Sequence, residues 1–354
     1  MVNKILISTG GSGGHVIPAM ILYEHLSKKN ELYISTDRRG SRFLDKSVHK
    51  IEIINTPKLN SIFLLPVNLL IILFLTIKSL FFLKDKKINI LFSTGGYMSL
   101  PLMLAAKILN LKIYLLEPNL VLGRANKFFL KSCKKILCYT NQIKNFPKNF
   151  INKLVIINPL VRKDFYETIN INNKRSRYNI LVIGGSQGAN IFDKGLKQKI
   201  VNLSKEFSIK IIQQTNRENI SNLRNYYSEN KVENIIFDFE KNLINITRDS
   251  DLCITRAGAS SLAELSILQI PFIAIPLPTF KDDHQFENAN FYKKKECCWI
   301  IEQDFFEEEI EQVLRNIFQN KTDLMKKKEN FKKLNYQNTW INVNQKLLNI
   351  INEN

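Results

Sequence analysis

The stretch ILISTGGSGGHVIPAMILYEHL, Ile5 to Leu26, decides the fold. It opens on a short β-branched apolar run, Ile5 to Ile7, and closes on Val16, Ala19, Met20, Tyr23 and Leu26, which recur at helical spacing. Gly10, Gly11, Gly13 and Gly14 stand between, so the segment reads as a buried strand, a tight turn and an amphipathic helix. Such a turn aims the unpaired N–H groups of a helix start at whatever lies above it. A phosphate or diphosphate is the guest that uses both the donors and the partial positive charge. Val16 stands where a dinucleotide fingerprint needs its third glycine, and no Lys-Ser/Thr pair follows as in a P-loop. A nicotinamide oxidoreductase is therefore disfavoured. A turn that needs positive φ for its own sake is the alternative at this loop.

Outward from this segment, short apolar runs alternate with helical stretches: Leu32–Thr36, Ile51–Asn55, Ile88–Ser93, Ile113–Glu117, Ile136–Tyr139 and Leu154–Asn158. That alternation predicts a parallel sheet covered on both faces. The polar stretch Ile171–Asn179 lacks apolar periodicity and reads as a linker. The pattern then restarts as NILVIGGSQGANIF from Asn179, which echoes the opening loop, and continues through Ile209–Gln213, Ile235–Phe239, Leu252–Thr255, Phe272–Ile275 and Trp299–Ile301. The expected architecture is α/β: two doubly wound, Rossmann-like domains facing each other across a cleft, each with a glycine turn at the carboxyl end of its first strand. The expected boundaries are 1–160, 161–335 and a final helical segment, 336–354, packed back on the first domain.

The chain has 354 residues, room for two domains of roughly 150 residues each. Its 51 Lys and Arg against 32 Asp and Glu give a net charge of +19, which favours anionic partners. No basic run interleaved with aromatics marks a nucleic-acid groove, so no nucleic-acid partner is expected. Cys133, Cys138, Cys253, Cys297 and Cys298 lack CxxC spacing and read as free thiols of a reducing cytoplasm, with no zinc site. The first strand begins next to Met1, which leaves no room for a signal peptide. The segment SIFLLPVNLLIILFLTIKSLFFLKDKK from Ser61 is broken by Pro66, Asn68 and Lys78, leaving about ten uninterrupted apolar residues against the roughly 18 of a span. Two compatible readings stand: a buried crossover helix, or a helix whose apolar side dips into an anionic interface beside Lys78, Lys84, Lys86 and Lys87.

In the second half, TRAGASSLAELSILQIPFIAIPLP from Thr255 follows a strand. Ala259, Ser260 and Ser261 open a helix, and Glu264 lies one turn inside it. Free N–H groups there suit a diphosphate and the carboxylate suits the hydroxyls of a ribose, but Ser261 and Glu264 also spell a capping box. PTFKDDHQFENANFY brings Asp282, Asp283, His284, Gln285, Glu287 and Asn288 to a helix entrance, fit for a sugar or for a solvated helix start.

GGSGGHVIPA, STGGYMSLP from Ser93, EPNLVLGRANK from Glu117, NPLVR from Asn158, GGSQGA from Gly184, TRAGASSLAE and DDHQFENA occur in that order. On these motifs, which run from about residue 4 to 302, the chain resembles the undecaprenyldiphospho-muramoylpentapeptide N-acetylglucosaminyltransferases of peptidoglycan synthesis, glycosyltransferase family 28 with the GT-B fold. The resemblance implies a UDP-GlcNAc site in which Ser186 and Arg162 lie near the diphosphate or uracil, Ala259 and Ser261 at a helix start, Glu264 on the ribose, and Gln285 and Asn119 on the GlcNAc hydroxyls, with Ser12, Gly13 and Gly14 bordering it. It also implies that Gly13-Gly14-His15 and Gly95-Gly96-Tyr97 receive the diphosphate of a lipid-linked muramoyl-pentapeptide acceptor. The implied enzyme needs no cofactor and works peripherally on the cytoplasmic face of the inner membrane. Leu116 and Pro118 depart from the family's His-Glu-Gln-Asn, so a role for that histidine does not transfer; Glu240 and Lys241 stand where members often have Ile then Asp.

The implied reaction is a single displacement with inversion at the anomeric carbon. His15 is the candidate base, with a cap on its own loop's backbone as the alternative; His25 and His49 read as surface positions. The DxD of Arg248–Asp251 precedes a strand on the far side and reads as a solvated turn rather than a metal site. The rivals are a UDP-GlcNAc 2-epimerase on the same fold and a noncatalytic membrane-docking subunit.

Overall fold

The computed structural model describes residues 2–59, 62–167, 177–184, 190–238, 240, 243–278, 283–335 and 337–353. The chain divides into two compact units, Met1–Leu160 with Trp340–Asn354, and Val161–Thr339. In the first unit, β1 (Lys4–Ser8), α1 (Gly13–Leu26), β2 (Glu31–Thr36), β3 (Ile51–Ile53), α2 (Leu65–Asp85), β4 (Ile90–Ser93), α3 (Leu100–Ile108), β5 (Lys112–Glu117), α4 (Arg124–Phe129), β6 (Lys135–Cys138) and β7 (Leu154–Ile156) follow one another. The strands pair in parallel in the order β3-β2-β1-β4-β5-β6-β7.

The second unit repeats the scheme with α5 (Lys163–Glu167), β8 (Tyr178–Ile183), α6 (Asn190–Ser204), β9 (Ile209–Gln214), α7 (Ile220–Glu229), β10 (Glu233–Phe237), α8 (Leu243–Thr247), β11 (Leu252–Thr255), α9 (Ala259–Ile267), β12 (Phe272–Ala274), α10 (His284–Lys294), β13 (Cys298–Ile300), α11 (Phe306–Gln319) and α12 (Lys321–Asn335). Its parallel sheet runs β10-β9-β8-β11-β12-β13, and the chain then returns to the first unit as α13 (Trp340–Asn352). Both sheets are doubly wound, as the alternation predicts. Strand order reverses between β1 and β4 in one unit and between β8 and β11 in the other. The crevice outside the carboxyl ends of such a strand pair is where open α/β sheets hold ligands.

The first strand shows why the apolar runs are continuous rather than alternating. Ile5 and Ile7 pack with Val16, Leu22 and Leu347 on one face, and Leu6 packs with Leu83, Leu102 and Met103 on the other; all three strand residues are fully buried. Parallel strands covered on both sides have no polar face to show. In the second unit Ile180 and Val182 meet Phe192, Leu196 and Phe306, while Leu181 and Ile183 meet Leu262 and Ala289.

The chain crosses between units at Leu160–Val161 and Thr339–Trp340. Of the polar stretch Ile171–Asn179, Tyr178 and Asn179 belong to β8, and residues 171–176 lie outside the described residues. Some expectations need correction. His25 is a core residue rather than a surface one. It is buried, its ring stacks on Trp340 with centroids 3.6 Å apart, and α13 covers it, the Asn344 side-chain amide donating to the His25 carbonyl across 2.7 Å. His49 is partly exposed, its Nδ1 2.8 Å from the Asp45 carbonyl. The DxD is not simply a solvated turn. The Asp251 carboxylate accepts the Asn179 backbone N–H at 2.9 Å and the Asp249 carbonyl accepts the Asn179 amide at 2.8 Å, which ties the starts of β8 and β11 together at the amino edge of the sheet.

Helix α2 matches only part of the buried-crossover reading. Ile72, Thr76, Ser79 and Leu83 form its buried stripe, whereas Leu69, Leu70, Leu73, Phe74, Ile77 and Phe81 are exposed. The helix has 21 residues and its most apolar window has a mean hydropathy of 2.1, long and apolar enough to cross a membrane by length and composition. Against a spanning role stand its packing on α3 and the Lys78–Glu52 ion pair at 3.4 Å, which hold it to the side of the unit.

Candidate active site

In the first unit the site forms where β1 and β4 end. The turn after β1 carries Gly10 and Gly11 with φ of +151° and +83°, and the turn after β4 carries Gly95 and Gly96 with φ of +87° and +82°. Space adds to φ at Gly10, where a Cβ would lie 3.0 Å from an Asp37 carboxylate oxygen and 3.2 Å from the Asp37 backbone nitrogen; at Gly11 the nearest atom, 2.7 Å away, is the movable methyl of Met98. Helix α1 begins at Gly13 after an extended Ser12 whose hydroxyl makes no capping bond. The N–H groups of Gly13 and Gly14, in the first turn, have no acceptor within the helix and point outward from it.

His15, third residue of that helix, reaches across to the second turn, its Nδ1 2.8 Å from the Thr94 carbonyl oxygen. A carbonyl only accepts, so Nδ1 carries the proton and in the neutral ring Nε2 holds the lone pair. The expected cap on the loop's own backbone is replaced by this bond to the neighbouring turn. A Cβ on Gly96 would lie 3.8 Å from Nε2, so that nitrogen sits over the second glycine turn.

Asp37 and Arg39, absent from the sequence-derived candidates, hold the two turns in register. Asp37 Oδ1 accepts the N–H groups of Gly11 (2.9 Å) and Gly40 (2.8 Å), Oδ2 pairs with Arg39 Nε at 3.0 Å, and Arg39 donates to the Tyr97 hydroxyl at 2.7 Å. Burial raises the Asp37 pKa, but the two amides and Arg39 outweigh it and leave the carboxyl below its usual range. The only sequence signal was an Asp just past the second strand. After β5, buried Glu117 accepts Asn119 Nδ2 (3.1 Å), the Gly123 N–H (2.8 Å) and Asn126 Nδ2 (3.0 Å). It thereby fixes the loop that carries Asn119.

In the second unit the site lies where β11 ends. Helix α9 starts at Ala259 with Gly258 as its cap residue, so Ser261 is the third helical residue and cannot be the N-cap of a capping box. That reading of Ser261 and Glu264 is excluded. Glu264 is instead buried beneath Arg162, whose Nε donates to Oε1 at 2.7 Å and whose guanidinium lies 4.8 Å from the Phe165 ring centroid. Burial pushes the Glu264 carboxyl up, Arg162 pulls it down, and the net is above the usual carboxylate range. Gln285 Oε1 accepts the N–H groups of Ala257 (3.2 Å) and Leu277 (2.9 Å), and Asn288 donates to the Ala257 carbonyl at 3.1 Å. Helix α10 thus pins the turn that leads into α9. Arg256 braces the same turn from beneath, donating to Ile275 O and to Gln303 at 3.0 and 2.7 Å. Ser186, Asp282 and Lys241 lie outside the described residues.

The first unit therefore brings together Ser12, Gly13, Gly14, His15, Gly95, Gly96 and Tyr97, with Asn119 on a neighbouring loop. The second brings together Arg162, Ala259, Ser261, Glu264 and Gln285. A cavity of about 330 Å³ elsewhere in the second unit, beside Trp299, shares none of these residues, and its Lys326–Glu296 (3.0 Å) and Lys327–Asp323 (3.6 Å) pairs satisfy their own charges.

Two doubly wound units, each with a helix start at its strand-order switch point, have the architecture of the GT-B fold. Residues 5–138 match the glycosyltransferase family 28 N-terminal domain and residues 179–339 the glycosyltransferase family 28 C-terminal domain. The chain belongs to glycosyltransferase family 28. It is 48% identical, over all of both chains, to the UDP-N-acetylglucosamine--N-acetylmuramyl-(pentapeptide) pyrophosphoryl-undecaprenol N-acetylglucosamine transferase of Pelagibacter ubique (strain HTCC1062). Its fold is similar to that of Acinetobacter baumannii MurG (TM-score 0.79, 21% identity, 99% of each chain). It is also similar to that of a putative UDP-N-acetylglucosamine 2-epimerase of Listeria monocytogenes (TM-score 0.67, 12% identity, 99% of this chain and 96% of that one). The fold is thus shared by both chemistries, and the sequence relationship is what separates them.

Proposed function

We propose that the protein transfers GlcNAc from UDP-GlcNAc to the 4-hydroxyl of undecaprenyl-diphosphate-linked MurNAc-pentapeptide in peptidoglycan synthesis, with inversion, as a peripheral protein on the cytoplasmic face of the cell membrane. The full-length identity to the Pelagibacter transferase supports the substrates. The observation that carries the mechanism is the His15–Thr94 bond, which leaves the basic nitrogen on the side of the glycine turns.

In this reading the N–H groups of Gly13 and Gly14 and the turn of Gly95, Gly96 and Tyr97 hold the acceptor diphosphate. His15 Nε2 takes the proton from the muramoyl 4-hydroxyl as its oxygen bonds to the anomeric carbon of GlcNAc. The bond from that carbon to the diphosphate breaks on the opposite side, and UDP leaves with the electron pair. The charge that builds on UDP is met by the N-terminus of α9 at Ala259 and Ser261 and by Arg162. Glu264 has one oxygen on Arg162, and the other serves the ribose hydroxyls. Gln285 has its oxygen engaged by backbone, so it would meet a sugar hydroxyl through Nε2, and Asn119 supplies a further contact. The exposed apolar face of α2 with Lys78, Lys84, Lys86 and Lys87 suits an anionic membrane surface. The test is acceptor-dependent release of UDP from UDP-GlcNAc. Release without acceptor, with the sugar epimerised, would favour the epimerase.

A further inference from the structure

Resting on that acceptor reading, we infer that the amino end of α2 forms a subsite for the prenyl chain of the acceptor, gripping the isoprene units next to the diphosphate. Because α2 follows β3, it starts at the carboxyl edge of the sheet, the edge at which β1 and β4 end in their glycine turns, and runs away from it. Contacts join the two places. Thr56 Oγ1 donates to the Met98 carbonyl at 3.2 Å, and the Met98 methyl is what a Cβ on Gly11 or Gly96 would meet, at 2.7 and 3.5 Å. Two residues on, the Lys58 carbonyl accepts Asn68 Nδ2 from the first turn of α2 at 3.0 Å. The chain from Thr56 to Lys58 therefore bridges the diphosphate turns to the start of the helix.

What stands at that start is apolar and unpacked. Phe63 is 92% exposed, Ile62 78% and Leu70 67%, with Leu59, Leu64 and Val67 exposed beside them. Charge divides along the helix. Lys78, Lys84, Lys86 and Lys87 all lie toward its far end, which suits headgroup anions there, while the residues from Ile62 to Leu70 include no charged side chain. A diphosphate held at the glycine turns puts the first isoprene units of its ester beside this surface, where contact removes apolar area from water on both sides. The outward face further along, at Leu73, Phe74 and Phe81, is left to bulk lipid.

The experiment uses soluble muramoyl-pentapeptide diphosphates with prenyl chains of two and of four isoprene units, below micelle-forming concentration and without vesicles or detergent. The parent enzyme should favour the longer chain by about tenfold or more in kcat/KM, the scale of a few buried methylenes. In the variant Phe63→Ser/Leu70→Ser that ratio should fall toward one while the KM for UDP-GlcNAc stays at the parent value; Phe74→Ser is the control that keeps the ratio. Both replaced side chains are exposed, so the fold should survive, and thermal unfolding checks it. Absence of chain-length preference in the parent, or an unchanged ratio in the double variant, overturns the inference. So does loss of vesicle binding with the ratio intact, which makes the surface a bilayer contact, or a change of oligomeric state, which makes it a protein interface. If the parent glycosylates neither acceptor, the proposed function itself fails and the subsite falls with it.

Discussion

His15 Nδ1 lies 2.8 Å from the carbonyl oxygen of Thr94, so the first helix of the chain is locked to the turn that follows the fourth strand. That bond adds to the Asp37 and Arg39 contacts that hold the two positive-φ glycine turns in register, and it sets the tautomer of the histidine between them. If Nε2 is the base, His15→Ala should lower kcat by about 10²- to 10⁴-fold with little change in the KM for UDP-GlcNAc. Steady-state kinetics over both substrates checks this, and an unaltered kcat removes His15 from the chemistry.

The glycine turns should be intolerant because of their backbone. Gly11→Ala places a methyl 2.7 Å from the Met98 methyl, the movable end of a flexible side chain, and Gly96→Ala meets its nearest atom at 3.5 Å, so each suffers chiefly from its φ, +83° and +82°. We expect losses of about 1 kcal/mol for each, measured by urea unfolding. A markedly larger loss for Gly11→Ala would mean that Met98 cannot move aside.

Glu264→Ala should weaken UDP-GlcNAc binding by about 1 to 3 kcal/mol, since a charged acceptor of hydroxyl bonds is removed. Stability should change little, because Arg162 keeps about a third of its side chain in water (32%) and can rehydrate. Because its pKa is raised, Glu264 protonates at a higher pH than an ordinary carboxylate, and donor affinity should fall as pH drops through that range. Calorimetric titration of the donor checks both. A fall in melting temperature with donor affinity unchanged would give Glu264 a structural role alone.

His25 should make the first unit acid-sensitive. Burial lowers its pKa from 6.5 to about 4, so folding favours the neutral ring. This contribution is complete above pH 6.5 and is lost as pH falls toward about 4, where the folded form also takes up the proton. The loss should reach about 3 kcal/mol and vanish in His25→Phe. Trp340 fluorescence in a Trp299→Phe background reads it out; the same acid sensitivity in His25→Phe would contradict it.

The outer and inner faces of α2 should separate cleanly. Leu73→Ser/Phe74→Ser removes exposed side chains and should reduce sedimentation with anionic vesicles while leaving stability nearly unchanged. Leu83→Ala removes a buried one and should cost about 2 to 5 kcal/mol. High salt should release most of the bound parent protein. Retention through salt and alkaline extraction would show an integral span.

The strands were legible because continuous apolar runs such as Ile5–Ile7 can only be parallel strands buried on both faces once helices alternate with them. The glycine turns were legible for the same reason that they function: Gly10, Gly11, Gly95 and Gly96 occupy φ values that other residues avoid. What stayed hidden depends on partners distant in sequence. Nothing near His25 announces a stack on Trp340, and Asp37 and Arg39 gain meaning only when the second strand lies beside the first. Ser261 and Glu264 spell a capping box in sequence, but the helix begins at Ala259, so the motif falls inside it.

The most direct measurement is release of UDP from UDP-GlcNAc with and without lipid-linked MurNAc-pentapeptide, with the product analysed for linkage. The expected result is release that depends on acceptor, in equal amount to a product carrying GlcNAc of inverted anomeric configuration on the muramoyl 4-hydroxyl, and its near-complete loss in His15→Ala. UDP release independent of acceptor, or a product of retained configuration, would contradict it.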